Sequence, residues 1–276
     1  MSYQFLIDVV RSLHYNTSTQ YSSSELFITM PASNHNFHGI YTKLVVEEHP
    51  LPPTMTEHED AVLILSALLS DIIAIHKVFS GFDVQLSEVL SSQSAMSGTT
   101  PQILSPFVPL SPFSENKRML CQLSKSLDLW GERFKPIVSE DILSLFYFCN
   151  MCLSFPQVLL LSRLSGYEPA VDNSGGSYSE LGLGGIVIPE AAVRCAWLIL
   201  DHVNVERLPD RAACPVWLPV VTYITALVVW ANLKSSVSRS SYGTLKALGM
   251  FKAELQQMPW PCCTEMVKNL DQLMRA

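Results

Sequence analysis

Few residues in this chain are of a type and spacing that could do chemistry, and they are scattered. Cys149-x-x-Cys152 has the spacing of a redox pair or of half a metal site. It lies inside the apolar run Phe146–Leu161 with no second ligand pair, which favours two thiols packed as small hydrophobes. Cys262 and Cys263 are adjacent at the start of a predicted helix, where a thiolate would be stabilised. No nearby histidine stands out as their base, so packing is the simpler reading there too. His35-x-x-His38 with His49 offers three imidazoles, but on a polar loop that water can satisfy, and no metal site is assigned to them. Asp71 and His76 stand five apart on a predicted apolar helix, not quite on one face. Each needs a partner if buried, so they either line a ligand cavity or are satisfied within the core. With Trp197, taken as buried on another helix, they are the candidate ligand-binding residues. Asp201-His202 near a helix end reads either as an acid–base pair or as a histidine placed where a helix C-terminus favours it. Glu25 is expected to hold a loop to a neighbouring backbone amide. The chain carries no nucleophile elbow, phosphate loop, dinucleotide fingerprint or zinc-protease motif, and no catalytic residue or cofactor is assigned. A pocket that works by orienting a reactive substrate would leave no such motif.

The elements that must position these residues read as helices throughout. Phe5–Leu13 places Phe5, Leu6, Val9, Val10 and Leu13 on one face. Ser23 or Ser24 is expected to cap a turn, and Leu26–Ile28 runs extended into Met30-Pro31. Residues 34–40 read as short and polar. Thr56–Ser80 is the first long helix, with Thr56 and Glu59 as a capping box, an acidic first turn and Gly81 as its stop. Phe82–Leu90 reads as a separate short helix. Ser91–Ser114 has no period and is expected to be a long flexible loop. Amphipathic helices follow at Glu115–Phe134, at Pro189–His202, at Leu245–Met258 and at Cys262–Met274, and Ser139 is expected to cap another that begins at Glu140. The fold class is all-α: one irregular bundle of about eight to ten helices, with no strand-like alternation longer than a few residues.

Three segments are the most apolar: Ala61–Val78, broken by Ser66, Ser70, Asp71, His76 and Lys77, then Ile142–Leu161 and Cys214–Leu233. The last carries no charge and is of a length that would cross a bilayer as a helix. Pro215 and Pro219 shorten its clean helix to Val220–Leu233, and Thr222, Tyr223 and Thr225 put hydroxyls where lipid would not satisfy them. These features favour the core of a helical domain over a span. The amphipathic helices add to that argument, since each needs a core against which to bury one face.

The chain of 276 residues is 48% hydrophobic and only 16% charged, so much of it is buried in something. Its net charge of −7 lacks the basic footprint of a domain that grips nucleic acid by the phosphates. Seven cysteines, most of them inside apolar runs, point to a reducing, intracellular compartment.

Two places resemble a known family. Leu13, Ser22, Glu25, Leu26, Ile28, Met30 and Pro31 match a helix, loop and Ser-x-x-Glu-Leu element of the fungal-specific transcription factor domain, its regulatory middle homology region. Ala226–Ala231, the serine-rich gap after it, Trp260 and the final Met266–Met274 helix resemble the tail of that domain, mainly as found beside C2H2 zinc fingers. The order and spacing of these pieces carry the likeness. The resemblance implies an all-α regulatory domain that is usually C-terminal to a zinc module. This chain has no zinc-finger or zinc-cluster ligand pattern, and it begins where that family is already mid-domain, so residues 1–276 read as a truncated regulatory domain.

The function expected from the resemblance is that of a transcription-regulator domain without its own DNA-binding module. It would be nuclear or cytoplasmic and work through protein partners, either the transcription machinery or a DNA-binding paralogue, with a small apolar metabolite as an optional effector. Control of a specialised-metabolism gene cluster would suit the family. Direct nucleic-acid and membrane contact are not expected. The alternative is a small-molecule-binding protein or pocket-type enzyme on the same scaffold, using Asp71, His76 and Trp197. The second alternative is a small integral membrane protein.

Overall fold

The computed structural model describes residues 2–15, 17–93, 112–167, 186–203, 214–235 and 241–275. Among them are ten α-helices: α1 Ser2–His14, α2 Phe37–Val45, α3 His58–Gln93, α4 Pro112–Phe134, α5 Glu140–Ser154, α6 Leu161–Leu164, α7 Glu190–His202, α8 Leu218–Ser235, α9 Ser241–Gln257 and α10 Cys262–Arg275. Two short 3-10 turns, Ser23–Glu25 and Pro156–Leu160, join them. The fold is all-α, as the periodicity predicts. Most of the expected loop Ser91–Ser114 lies outside the described residues, as do most of the loops expected at 166–185 and 235–242 and the polar junction at Asp210-Arg211.

The apolar segments are the framework. Residues 60–70 of α3 are all buried, and so are residues 218–231 at the start and middle of α8. A helix that is apolar on every side can be stable only with protein or lipid around it. Here α3 packs between α1, α4 and α5, while α5 lies along α7, α7 along α8, and α8 against α9 and α6. His58–Val78 is long and apolar enough to cross a membrane, yet 72% of its most apolar window is buried inside the protein. The run Ile142–Leu161 is no single rod: α5 stops at Ser154, Pro156 follows, and the chain bends by 102° into the 3-10 turn and α6.

Local signals are read differently by the fold at several points. Helix α3 does not stop at Gly81 but runs on to Gln93, because glycine weakens a helix interior without ending it and no proline follows before Gln93. The Thr56 box does not form: the Thr56 hydroxyl donates to Glu57 Oε1 at 3.3 Å, and Ala61 N–H bonds to Glu57 O at 3.2 Å as the helix begins. Ser139 stands at the N-cap of α5, but its side chain makes no capping bond. Pro219 lies in the first turn of α8, where a missing N–H costs little, so the helix is longer than expected.

Helix α2 was hidden within a polar stretch. Asn36 caps it, its side chain accepting from Gly39 N–H at 3.0 Å, and Phe37, Tyr41 and Leu44 form its buried stripe. Asn36→Ala is expected to cost about 1 kcal/mol of stability, the usual loss for an N-cap, measured by chemical denaturation.

The N-terminal loops are pinned by buried carboxylates. Asp8 accepts from Gln20 N–H at 2.6 Å and Tyr21 N–H at 3.4 Å. Asp60 accepts from Ala32 and Ser33 N–H at 3.1 and 3.0 Å. The role expected of Glu25 thus belongs to Asp8 and Asp60, and Glu25 is exposed.

Candidate functional site

Asp71 lies just beyond the fully buried stretch of α3 and points toward the N-terminal layer. Tyr41 Oη of α2 donates to Asp71 Oδ2 at 2.7 Å, and Ser23 Oγ donates to Asp71 Oδ1 at 2.5 Å. Burial pushes the Asp71 carboxyl above the usual carboxylate range, and the two hydrogen bonds offset part of that rise. Burial also holds the Tyr41 phenol well above its ordinary value, so it remains a donor.

His76 lies on the part of α3 that meets α5. Its Nε2 is 2.9 Å from Cys152 O, one of the last carbonyls of α5 and so without a partner in its own helix. A carbonyl only accepts, so Nε2 carries the proton. Burial lowers the His76 pKa, and the bond to Cys152 O opposes this only in part. The ring is therefore a neutral clasp between two helices.

Trp197 is not buried. It is 41% exposed, because α7 turns Ala192, Ala196, Ile199 and Leu200 inward and leaves Trp197 on the outer stripe with Glu190, Arg194 and Asp201. Asp71 faces α2 and the first 3-10 turn, His76 faces the end of α5, and Trp197 faces outward. The three candidates do not meet, and no hydrogen bond or ring contact joins any two of them.

The fold does assemble a polar node that sequence reasoning missed. Tyr223 Oη of α8 donates to Asn269 Oδ1 of α10 at 2.7 Å, and Asn269 Nδ2 donates to Ser165 O at 2.9 Å. Ser165 Oγ lies 3.3 Å from Tyr223 Oη, and the Tyr167 ring packs 4.7 Å from that of Tyr223. Burial raises the Tyr223 phenol, which keeps it protonated. The available signal was Asn269 itself, a polar residue beside Met266 and Leu270 on the apolar stripe of α10. The node ties α8 and α10 to the end of α6.

The other candidates are dispersed. His35 Nε2 lies 3.4 Å from Thr54 Oγ1, the His38 ring packs 5.1 Å from Phe27, and His49 Nδ1 is 3.0 Å from Glu47 O. Among the described residues no three metal-binding side chains converge. His202 pairs with Glu140 of α5 rather than with Asp201, and its ring stacks on Tyr147 at 5.3 Å. A shallow cleft of about 370 Å³ opens along α4, lined by Glu48, Lys117, Arg118, Cys121, Gln122 and Lys125. Five of its six lining residues are charged or amide-bearing, and Lys125 is ion-paired with Glu48 at 2.8 Å.

The thiols fall into two classes. Cys149 and Cys152 are buried and burial pushes both up, as core packing of the C-x-x-C pair requires. Cys262 is half-buried at the first position of α10, and a hydrogen bond from the Cys263 thiol brings it down to about 7. Cys263 is pushed up in return. Below denaturing conditions at neutral pH, iodoacetamide is expected to label Cys262 and the exposed Cys121 first and to leave Cys149 and Cys152 unmodified until the chain unfolds. Mass mapping of the alkylated peptides checks this order.

No protein-family model matches this chain, no curated protein matches it, and no solved structure matches it.

Proposed function

We propose that this chain is the regulatory domain of a transcription-regulator-type protein, acting through protein partners in the control of a specialised-metabolism gene cluster and not by holding DNA itself. The supporting sequence likeness is the one carried by Leu13–Pro31 and by the Ala226–Ala231 and Trp260–Met274 segments. The observation that favours a partner surface over a pocket is how the polar candidates are used. Asp71 is spent on Tyr41 and Ser23, and His76 on Cys152 O, so both do structural work. Large apolar side chains stand outward instead, Phe27 at 74% exposure and Trp197 among them. Side chains of this kind supply much of the binding energy in protein interfaces.

Fusing the whole chain to an unrelated DNA-binding domain and placing the matching site before a reporter tests this. A change in reporter output relative to the DNA-binding domain alone is expected. Unchanged output in cells of a related regulatory background would remove the reading. The purified chain by itself is expected not to retard promoter DNA, and tight sequence-specific retardation would contradict the proposal.

A further inference from the structure

We infer that the outer face of α7 is a self-association surface, on which a second copy of this chain docks with its own α7 antiparallel to the first. Glu190, Arg194, Trp197 and Asp201 are the exposed residues of α7. Steps of four, three and four residues keep them in one stripe along the helix. Val187, just before α7, is 82% exposed. Among the described residues neither Arg194 nor Asp201 has an ion-pair or hydrogen-bond partner.

The stripe is its own complement. Set about a two-fold axis between positions 197 and 198, Arg194 comes level with Asp201 of the second copy, and Asp201 with Arg194 of the second copy. Each lies about 5 Å along the helix from the axis, from the rise per residue. Two ion pairs of opposite direction then frame two indoles that meet at the axis, where offset stacking suits them. The same patch serves both copies, which is what a two-fold contact demands. A parallel arrangement would set Arg194 against Arg194. A uniformly acidic or uniformly basic peptide would match one of these charges and repel the other. The pattern therefore selects a second copy over a simple charged partner.

A single helix pair buries less than the roughly 1,200–2,000 Å² of a standard stable interface. Two bodies of net charge −7 also repel one another. The association is therefore a weak, concentration-dependent equilibrium. It goes beyond the regulatory reading and does not depend on it: mass reports one and a reporter gene the other, so either can fail alone.

Sedimentation equilibrium of the full chain over a concentration series tests the contact. The apparent mass is expected to rise from one chain toward two as concentration increases. Arg194→Glu puts like charges on both sides of the axis and is expected to weaken association about tenfold or more. Trp197→Ala is expected to weaken it as well. The double exchange Arg194→Asp with Asp201→Arg restores both ion pairs and is expected to recover association toward the wild-type level. All these positions are exposed, and circular dichroism verifies that each variant is folded. A single-chain mass at every concentration would overturn the proposal. So would association indifferent to Arg194→Glu and Trp197→Ala, which would place the contact elsewhere, or a double exchange no better than Arg194→Glu alone.

Discussion

Trp130→Ala is expected to destabilise the fold by about 4 kcal/mol, in the range for removing a large buried aromatic ring. For a chain of this size that lowers the melting temperature by on the order of 10 °C. Trp130 of α4 is fully buried. Its ring stacks on Phe146 of α5 at 5.2 Å and packs on Phe134 at 5.4 Å, while Nε1–H donates to Ala61 O of α3 at 2.9 Å. One side chain therefore holds three helices in register. Alanine leaves a cavity on the scale of an indole, bordered by Phe134 and Phe146, which other contacts also hold in place. Trp130→Phe keeps most of the packing, loses the donor, and is expected to cost about 1–2 kcal/mol. Urea denaturation of the three proteins measures the order. A Phe variant as unstable as the Ala variant would show that the hydrogen bond, and not the packing, dominates.

Asp71→Ala carries the second large effect, about 3 kcal/mol at neutral pH. It leaves the Tyr41 and Ser23 hydroxyls without their acceptor, and each buried unsatisfied group costs about 1–3 kcal/mol. Part of that loss is returned, because the substitution also removes a carboxylate that burial disfavours. The pH dependence separates the two contributions. The folded Asp71 pKa is raised above the ordinary 3.8, with burial the largest cause. A group raised in the folded state contributes stability that is fully present below its unfolded value and is lost as pH rises through its folded value. Wild type is therefore expected to lose its advantage over Asp71→Asn as pH climbs from 3.8 through the folded value. Paired denaturation curves across that window measure the difference. A gap that widens with rising pH would mean that the ionised carboxylate is the favoured form, contrary to the burial argument. His76 has the opposite sign. Its folded pKa is lowered from 6.5 by burial, so its contribution is present above 6.5 and is lost as pH falls through the folded value.

Much of the architecture was legible along the chain because helical periodicity is a local property. The stripe of Phe5, Leu6, Val9, Val10 and Leu13, and the mostly apolar Ala61–Ile73 and Val220–Ala231, announce which surfaces must be covered. The structure packs α1 against α3 and covers α8 chiefly with α7 and α9. Phe37–Val45 escaped notice because its stripe has only three apolar members, and His38, Gly39 and the preceding asparagines read as loop. The cap that fixes its start is a side-chain bond from Asn36 that only the folded backbone displays.

The candidate site was legible only in part, for a different reason. A buried Asp71 or His76 is known from sequence to need a partner, but the partner is chosen by packing. Tyr41 is 30 positions from Asp71, and Cys152 is 76 positions from His76. Trp197 shows the same limit in reverse: its helix is plainly amphipathic, but the rotation of α7 against α5 decides which face the indole takes.

By itself, then, the sequence determined the helical class of this protein, which segments demand burial, and a net charge of −7. Those follow from hydrophobic spacing and charge within short windows. Only the tertiary structure decided that Asp71 and His76 clasp helices, that Tyr223 and Asn269 share a node, and that Trp197 stands outside between Arg194 and Asp201. Each of those outcomes depends on contacts between residues far apart in the chain, or on how one helix rotates against another. No periodicity within a single helix records them.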